Sequence, residues 1–429
     1  RHYHRQAHGI VPPNGVRIHV AGVDLVRDEV GKFHVLEDNL RSPSGVSYVL
    51  ENRRTLAHVV PEVFAGYRVS PVTEYPERLY RALAAAAPRD VHDPTVVVLT
   101  PGVYNSAHFE HAFLARRMGA ELVEGRDLFC RGGFVYMRTT QGPQPVHVIY
   151  RRLDDEYLDP VQFRGDSVLG VPGLLNAARA GAVTIANGVG NGVADDKALY
   201  PYVPKIIEYY LGEKAILHNV ATHDLTDPDV RAHVLERLDK MVIKPVDGSG
   251  GYGLVIGPKA TEAELEEVAA AIIADPRSWI AQPVVTLSTS PTVGTGGAVQ
   301  PRHLDLRPFA VNDGKKIWVL PGGLTRVAMN AGSLVVNSSQ GGGSKDTWVL
   351  AGTGEEEDGA SLSAEAVLEA RRLNRGLPTG GPITPRVSLP HTHEARMRQQ
   401  EEQQQQQATD EVVPDVTPVE APQASEASC

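Results

Sequence analysis

The first residues in the chain that could carry out chemistry are two carboxylates and one amide. Asp24 lies in an apolar segment, and Glu37 and Asn39 lie at the end of the next apolar segment. Because residues two apart on a strand point to the same face, Glu37 and Asn39 would lie side by side. Carboxylate and amide oxygens are ligands that suit Mg²⁺. The three residues could therefore hold Mg²⁺, and surface acids at a polar turn are the competing interpretation.

A glycine-rich loop follows an apolar segment that ends in Lys244. The loop consists of Gly248, Ser249, Gly250, Gly251, Tyr252 and Gly253. Its glycines match G-x-G-x-x-G, and they let backbone N–H groups approach anionic oxygens with no Cβ in the way. A dinucleotide-binding loop would open a helix, whereas here the β-branched segment Leu254–Ile256 follows at once. The unit is a strand–loop–strand that could cover phosphates or could be a hairpin turn without a ligand.

Two arginines further along are candidates for contact with an anion. His303, Asp305 and Arg307 alternate along one segment, and Arg326 lies further along the chain. A planar guanidinium binds a phosphate or a carboxylate through two parallel hydrogen bonds. The pattern favours a site for a phosphoryl group or an acyl substrate, and a buried Arg–Asp pair that braces a sheet is the competing interpretation.

Polar residues also follow two short apolar segments in the middle of the chain. Ligands commonly bind beyond the carboxyl ends of strands in open α/β sheets, so these residues could touch an acceptor substrate. The candidate substrate contacts are Tyr104, Asn105, Arg151 and Arg152.

The elements that must position these residues are short strands mixed with helices. Val16–Val26 and Lys32–Asn39 are predicted to form a hairpin that brings Asp24 roughly opposite Glu37 and Asn39. Other predicted strands are Thr95–Thr100, His147–Arg151, Val183–Ala186, Met241–Val246, Leu254–Ile256, Trp279–Val285, His303–Val311, Lys316–Leu320 and Ser333–Val336. The predicted helices are Pro160–Arg179, Leu199–Leu211 and Thr261–Asp275, the last beginning with a Thr261–Glu264 capping box. This mixture predicts an α+β or α/β protein.

Composition excludes several classes of protein. The 429 residues carry a net charge of −10, which argues against a broad nucleic-acid-binding surface. The sequence contains no run of roughly 18 apolar residues, so it predicts no membrane-spanning helix. The two cysteines cannot form a disulfide framework, so a reducing, cytoplasmic location fits best. The sequence begins at Arg1 without a methionine, and we expect further sequence upstream.

The chain divides into four predicted regions. Residues 1–90 contain the hairpin, 91–190 form an α/β part on the substrate side, and 191–350 contain the lysine, the glycine loop and the closing strands. Residues 351–429 are rich in Gly, Glu, Pro and Gln, and we predict a mostly disordered tail there. The chemistry should therefore lie before residue 350.

These motifs together resemble a known family. A lysine strand, a glycine loop and Glu-x-Asn are the signature of ATP-grasp ligases, and here Glu-x-Asn precedes the loop. That inverted order is similar to the circularly permuted ATP-grasp proteins of type 2, and more distantly to glutathionylspermidine synthase. The resemblance covers about Val16–Leu350 and includes the strings LEDNLRSPSGVSYVLENR, LTPGVYNSAHFEH, VIYRRLDD, GVADDKALY, VIKPVDGSGGYG, DLRPF, GGLTRVA and NSSQGGGSKDTW.

The resemblance implies an ATP-grasp fold in which ATP binds between two antiparallel sheets. It implies that Asp24, Glu37 and Asn39 hold Mg²⁺ against the phosphates and that Gly248–Gly253 cover them. Lys197 and Lys244 would contact the nucleotide, and Gln282 would line the adenine. From the residues alone, Lys197 could instead be a surface lysine and Gln282 an ordinary polar residue within a strand.

The family reaction joins a carboxylate to an amine through an acyl phosphate, and ADP is released. The implied substrates are small-molecule or peptide carboxylates and amines, with ATP and Mg²⁺ as cofactors and no nucleic-acid or membrane partner. Arg307, Arg326 and Lys244 would be the catalytic residues, and Asp305 would orient an arginine or contact substrate. Two alternatives stay open: a non-catalytic or regulatory ATP-binding protein, and a phosphotransferase.

Overall fold

A computed structural model describes residues 3–246, 253–294, 297–330, 332–333, 336, 342–351 and 398–400. The described strands form four sheets, of nine, four, four and three strands, interspersed with helices. The α+β prediction is confirmed. No helix in the described ranges combines the length and the apolar character needed to span a bilayer.

The acidic hairpin leads into the first helices. The elements of this part are β1 (Val20–Arg27), β2 (Phe33–Asn39), α1 (Val46–Val59), α2 (Pro61–Ala65) and α3 (Tyr75–Ala84). β1 and β2 pair antiparallel, as the hairpin prediction requires.

A parallel sheet forms the middle of the molecule. The elements here are β3 (Val96–Leu99), α4 (His108–Met118), β4 (Glu121–Val123), β5 (Leu128–Arg131), β6 (Phe134–Thr139), β7 (Gly142–Val146), β8 (Val148–Arg151), α5 (Asp155–Leu158), α6 (Leu174–Arg179) and β9 (Thr184–Ala186). The sheet order is β4-β3-β8-β9, and β5-β6-β7 form a separate three-stranded sheet.

Both faces of the parallel sheet are covered, which explains why its strands are apolar throughout. Val96 and Val98 of β3 pack in one hydrophobic core with residues of α1, α3 and α4. Val97 and Leu99 point the other way, into a second core with residues of α6 and of the three-stranded sheet. The parallel sheet is therefore a rigid base for the loops at its carboxyl edge.

The small antiparallel sheet carries the lysine strand. The elements here are α7 (Val203–Leu211), β10 (His218–Asn219), β11 (His223–Asp224), α8 (Pro228–Leu235), β12 (Met241–Pro245), β13 (Val255–Ile256), α9 (Glu262–Ala274) and β14 (Trp279–Pro283). The sheet order is β11-β14-β12-β13, and β10 instead pairs with β2. Helix α9 begins with both halves of the predicted capping box, and its Val268 and Ile272 pack under this sheet.

The last strands complete the large sheet around the hairpin. They are β15 (Thr289–Val293), β16 (Val299–Arg307), β17 (Phe309–Asn312), β18 (Ile317–Val319), β19 (Leu324–Val327) and β20 (Gly343–Asp346). The large sheet runs β10-β2-β1-β16-β19-β20, with β15 beside β16 and with β17 between β1 and β18.

Three predicted elements need correction or lie partly outside the described residues. Pro160–Arg179 is not one helix, because only its last six residues, in α6, are helical. His303–Val311 is two strands that divide at Pro308, which has no N–H to donate to a ladder. The strand predicted at Ser333–Val336 includes residues 334–335, which lie outside the described ranges.

The break in the predicted helix has a packing cause. A Cβ at Gly170 would lie 2.0 Å from the Tyr157 carbonyl oxygen, so the backbone passes there with no room for a side chain. Asp159 then accepts backbone hydrogen bonds from Gly173 at 3.0 Å and Leu175 at 2.9 Å, which fixes where α6 begins. The backbone conformation before α6 is thus determined by tertiary contacts, which the periodicity of apolar residues does not predict.

Candidate functional site

The hairpin places the two candidate carboxylates directly opposite each other. Asp24 pairs with Glu37 and Gly22 with Asn39, and the register shifts between Asp24 and Leu25. Residues that face each other in an antiparallel pair share a face, so Asp24, Glu37 and Asn39 lie on the same side of the sheet.

Two arginines from the neighbouring strands hold Asp24. Arg307 donates two hydrogen bonds to its carboxylate, one of them 2.8 Å from Nη2 to Oδ2. Arg326 donates from Nη2 to Asp24 Oδ2 at 2.6 Å and from Nε to Asp305 Oδ1 at 2.9 Å. Asp305 and Arg326 face each other across β16 and β19. These two acids and two arginines, called the Arg–Asp quartet below, are formally neutral.

Burial and charge set the ionisation of the quartet. Burial alone would raise the pKa of Asp24, but Arg307 and Arg326 hold that pKa well below its usual range. Burial raises the pKa of Asp305 to about 6, against the opposing effect of Arg326. Burial would lower the pKa of Arg326, but Asp24 and Asp305 raise it, so the guanidinium stays charged.

Lys244 of β12 lies within electrostatic range of the early hairpin. Burial lowers the pKa of Lys244 to about 8, the Glu37 carboxylate opposes that shift, and the Lys197 ammonium adds to it. Asp24 also acts on this lysine. Two carboxylates from the start of the folded region and two lysines from its later part are therefore within electrostatic range of one another.

The segment from Asp195 to Lys197 joins the hairpin to the lysine strand. Asp195 Oδ1 accepts the Leu40 N–H at 2.7 Å, directly after Asn39. Two residues later, the Lys197 N–H donates to the Val246 carbonyl at 3.1 Å, just before the glycine loop. Burial raises the pKa of Asp195 to about 6 despite the opposing charge of Arg41.

Asn187 binds the carbonyl of the same residue, Leu40, and the backbone of β1. Its Oδ1 accepts N–H groups from His19 and Val20 at 2.8 and 2.9 Å. Its Nδ2 donates to the carbonyls of Val20 and Leu40 at 2.7 and 2.8 Å. Both backbone polar groups of Leu40 are thereby fixed, its N–H by Asp195 and its carbonyl by Asn187. We call this arrangement the Leu40 clamp.

Gln282 lies at the crossover between the large and the small sheet. It is 3% exposed, and its Nε2 donates to Thr222 Oγ1 at 2.9 Å. Residues Val220–Thr222 connect β10 of the large sheet to β11 of the small sheet. A cavity of about 340 Å³ lies there, lined by Tyr200, Pro201, Pro204, Ala215, Leu217, His218, Asn219, Val220, Ala221 and Thr222.

The candidate substrate residues divide into one exposed and three buried side chains. Tyr104 is 46% exposed, whereas Asn105 is buried and caps the turn before α4 by accepting the Ala107 N–H at 3.0 Å. Arg151 is fully buried, and it donates to three backbone carbonyls and contacts Asp155. Arg152 is also buried and donates to the Pro43 carbonyl at 3.0 Å.

The predicted phosphate loop falls mostly outside the described residues. Gly248, Ser249, Gly250, Gly251 and Tyr252 are not among them. Gly253 is described, with a positive φ of 64° that favours glycine.

The donor set fits a hard divalent cation. Glu37 offers a carboxylate, whereas both oxygens of the Asp24 carboxylate already accept hydrogen bonds from Arg307 and Arg326. Burial raises the pKa of neighbouring Asp38, and the charges of Glu37 and Asp24 add to that shift. The buried Nδ2 end of Asn39 has no hydrogen-bond partner in the described part of the chain. Since the two ends of an amide are assigned from their partners, that end can equally present the oxygen to a cation.

Sequence reasoning missed the residues that hold the site together. Asp195 stands in the string that supplied Lys197, and Asn187 directly follows the predicted strand Val183–Ala186. Its position at the carboxyl end of a parallel strand was the available signal. The contacts that give Asn187 its importance join it to Val20, far away in the sequence, and local patterns cannot reveal them.

Comparison with known proteins gives one family match. The model described as "Circularly permuted ATP-grasp type 2" matches residues 1–328. The chain is also similar to the uncharacterized protein Rv2411c of Mycobacterium tuberculosis, with 66% identity over 350 residues. That alignment covers 82% of this chain and 63% of the relative, so the chain spans less than two thirds of it.

Two further comparisons involve proteins with descriptive names. A Frankia casuarinae protein provisionally named glutamate–cysteine ligase 2-2 is 48% identical over 341 residues, or 79% of this chain and 39% of the relative. A glutathione synthetase-like effector of Globodera pallida, solved in its apo form, superposes with a TM-score of 0.51. It is 12% identical, and the match covers 78% of this chain and 77% of that structure, which supports the fold alone.

Proposed function

Because the chain belongs to the circularly permuted ATP-grasp type 2 family, we propose that it is an ATP- and Mg²⁺-dependent carboxylate–amine ligase. Its reaction would begin when a carboxylate oxygen bonds to the γ-phosphorus of ATP as the bond to the bridging oxygen breaks, releasing ADP. An amine nitrogen would then bond to the acyl carbon as phosphate leaves. The provisional name of the Frankia relative, a ligase of two amino acids, agrees with this reaction class.

One observation carries the proposal: the segment Asp195–Lys197 ties the acidic hairpin to the lysine strand. Asp195 binds the peptide after Asn39, and the Lys197 backbone binds the end of β12. Lys244 consequently shares its electrostatic environment with Glu37 and Asp24. A nucleotide needs this combination, because oxygen ligands suit its metal and ammonium groups suit its phosphates.

The roles follow from the chemistry of each group. Asp24, Glu37 and Asn39 would hold Mg²⁺, which neutralises charge on the transferring phosphoryl group when bound. Lys197 and Lys244 would bind the phosphates as point charges. Gly248–Gly253 would cover them.

The adenine end would lie at the crossover between the two sheets. The cavity there is lined by residues His218 to Thr222 and by apolar side chains such as Pro204 and Leu217. Gln282 binds Thr222, which lines that cavity, so it would shape the adenine site from the small sheet.

The quartet and the buried arginines would act mainly by positioning. Arg307 and Arg326 fix Asp24, and we propose that they face the acyl phosphate from there, with Asp305 orienting Arg326. Arg151 and Arg152 would brace the substrate side, since their guanidinium groups already bind backbone carbonyls. Tyr104 is the exposed candidate for substrate contact.

Release of ADP tests the ligase. Purified full-length protein with Mg²⁺ and ATP should release ADP only when a carboxylate and an amine are both present. The first pair to try is glutamate with cysteine, followed by a dipeptide panel. Glu37→Ala and Lys244→Ala should lower the rate at least about 100-fold if these groups stabilise the transition state. The exposed Glu77→Ala and Lys315→Ala are the matched controls.

Other outcomes identify the competing functions. ATP binding without turnover across the panel would favour a nucleotide-binding protein. A phosphorylated product without an amide would favour a phosphotransferase. Full activity of Glu37→Ala would contradict the proposed site.

A further inference from the structure

Residues 398–400 lie beside the parallel sheet, although they are far from its strands in the sequence. Gln399 and Gln400 are 5% and 3% exposed. They lie between the loop after β3, at Pro101 and Gly102, and the connection that contains Asp166 and Val168. We call this space the glutamine groove.

The groove binds Gln399 through backbone groups at both ends of its amide. Oε1 accepts the Val168 N–H at 2.6 Å, and Nε2 donates to the Asp166 carbonyl. This pair requires an acceptor and a donor on one planar group, which a carboxamide has and a carboxylate lacks. A glutamate would place negative oxygen against a carbonyl oxygen, so the groove discriminates between two side chains of the same shape.

Gln400 makes a weaker second contact. Its Nε2 donates to the Pro101 carbonyl at 2.5 Å, while its Oε1 has no partner among the residues described. Gly102 has a φ of 124°, and a Cβ there would lie 2.4 Å from Gln400 Nε2. The glycine thus leaves room for this amide, and Gln399 carries more of the recognition.

The groove is connected to the proposed catalytic centre through the parallel sheet. Leu99, two residues before Pro101, accepts the Arg152 N–H at 2.8 Å. Asp154, two residues after Arg152, is 3.4 Å from the Arg41 guanidinium. Arg41 itself is two residues beyond Asn39. A short series of contacts therefore connects the groove to the candidate metal ligands.

We propose that the glutamine groove is a peptide-binding subsite that recognises a glutamine carboxamide, and that residues 398–400 fill it within the same chain. The inference that the groove binds a glutamine peptide depends on these contacts alone. Only its further role as a substrate subsite rests on the proposed ligase function. Because the segment belongs to the same chain, a free peptide must compete with it for the groove.

Peptide binding to full-length protein tests the proposal without ATP or turnover. The probe is a fluorescein-labelled peptide with the sequence of residues 394–404, measured by fluorescence anisotropy. The double variant Gln399→Glu/Gln400→Glu frees the groove and should bind the probe about tenfold more tightly than the unmodified chain. A probe with the same two changes should not bind. The control variant Gln403→Glu/Gln404→Glu adds equal charge nearby and should behave as the unmodified chain.

Hydrogen exchange gives a second readout in the same variants. Exchange in a peptic fragment covering residues 166–168 should accelerate in Gln399→Glu/Gln400→Glu only, because the Val168 N–H loses its acceptor. Unchanged exchange and equal probe binding in both variants would overturn the groove. Protection that depends on protein concentration would show that a second copy supplies the segment, which would overturn its intramolecular docking.

Discussion

At Lys244, burial and the nearby carboxylates act on the pKa in opposite directions. Its pKa is lowered to about 8, first by burial and then by Lys197. Below that pH the ammonium is available to phosphates, and above it binding must also take up a proton. Affinity for ATP should therefore fall by up to about tenfold per pH unit above pH 8. Isothermal titration between pH 7 and 9.5 measures this change.

The matched variants identify the titrating group. Lys244→Arg should bind ATP with little pH dependence, because a guanidinium stays charged throughout this range. Lys315→Arg, at an exposed site, should follow the unmodified protein. A flat pH profile of the unmodified protein would contradict the assignment.

Replacement of Arg326 distinguishes a structural role of the Arg–Asp quartet from a catalytic one. The Arg326 side chain is 12% exposed, and its guanidinium binds both Asp24 and Asp305. Removing one member of a buried charge cluster typically costs about 3–5 kcal/mol, so Arg326→Ala should lower unfolding free energy by that order. Urea titration followed by circular dichroism gives the value.

The control for this prediction is an exposed arginine in a surface ion pair. Arg81→Ala removes a pair with Glu77 on α3 and should change stability by less than about 1 kcal/mol. Unchanged stability of Arg326→Ala together with lost ADP release would show that the arginine serves chemistry rather than the sheet.

Among the elements, the Leu40 clamp connects the parallel sheet to the hairpin. Asn187 at the end of β9 makes four hydrogen bonds to backbone groups. Asn187→Ala should therefore cost about 3 kcal/mol of stability, because it leaves buried peptide groups unpaired. It should also weaken ATP binding, since Asn39 precedes the clamped peptide. Thermal unfolding and isothermal titration measure the two effects.

Asn176→Ala supplies the comparison for the clamp. Asn176 is exposed on α6, so its removal should leave ATP affinity unchanged and stability within about 0.5 kcal/mol. Equal behaviour of the two variants would argue against a positioning role for Asn187.

Local signals predicted those elements whose cause is local. The Thr261–Glu264 capping box marked the start of α9, and apolar segments marked β3 and β8 of the parallel sheet. The sequence could also suggest that Asp24 faces Glu37, because strand alternation fixes the faces and a short turn limits the register.

The remainder depends on contacts that only the folded chain creates. Residues 160–179 do not form one helix because the backbone at Gly170 packs against Tyr157. The Leu40 clamp exists because Asn187 binds Leu40, which is distant in the sequence. Likewise, composition alone predicts a disordered tail and cannot indicate that two of its glutamines meet a groove.

At the scale of the whole molecule, a nucleotide between the two sheets should stabilise the fold. A ligand at 100 times its dissociation constant adds about 2.7 kcal/mol to unfolding free energy. ATP with Mg²⁺ should therefore raise the unfolding temperature more than ATP alone. Glu37→Gln should remove the Mg²⁺-dependent part, whereas Glu77→Gln on the surface should retain it. Differential scanning fluorimetry distinguishes these cases, and an equal shift with and without Mg²⁺ would contradict the metal site.

The formal neutrality of the Arg–Asp quartet has a consequence for the order of events. Because Arg307 and Arg326 already compensate Asp24 and Asp305, an isolated divalent ion would gain little attraction there. The site attracts the ion more strongly when the ion is already bound to the triphosphate, because the net negative charge of that complex interacts favourably with Lys197 and Lys244. We therefore expect metal and nucleotide to enter as a single chelate.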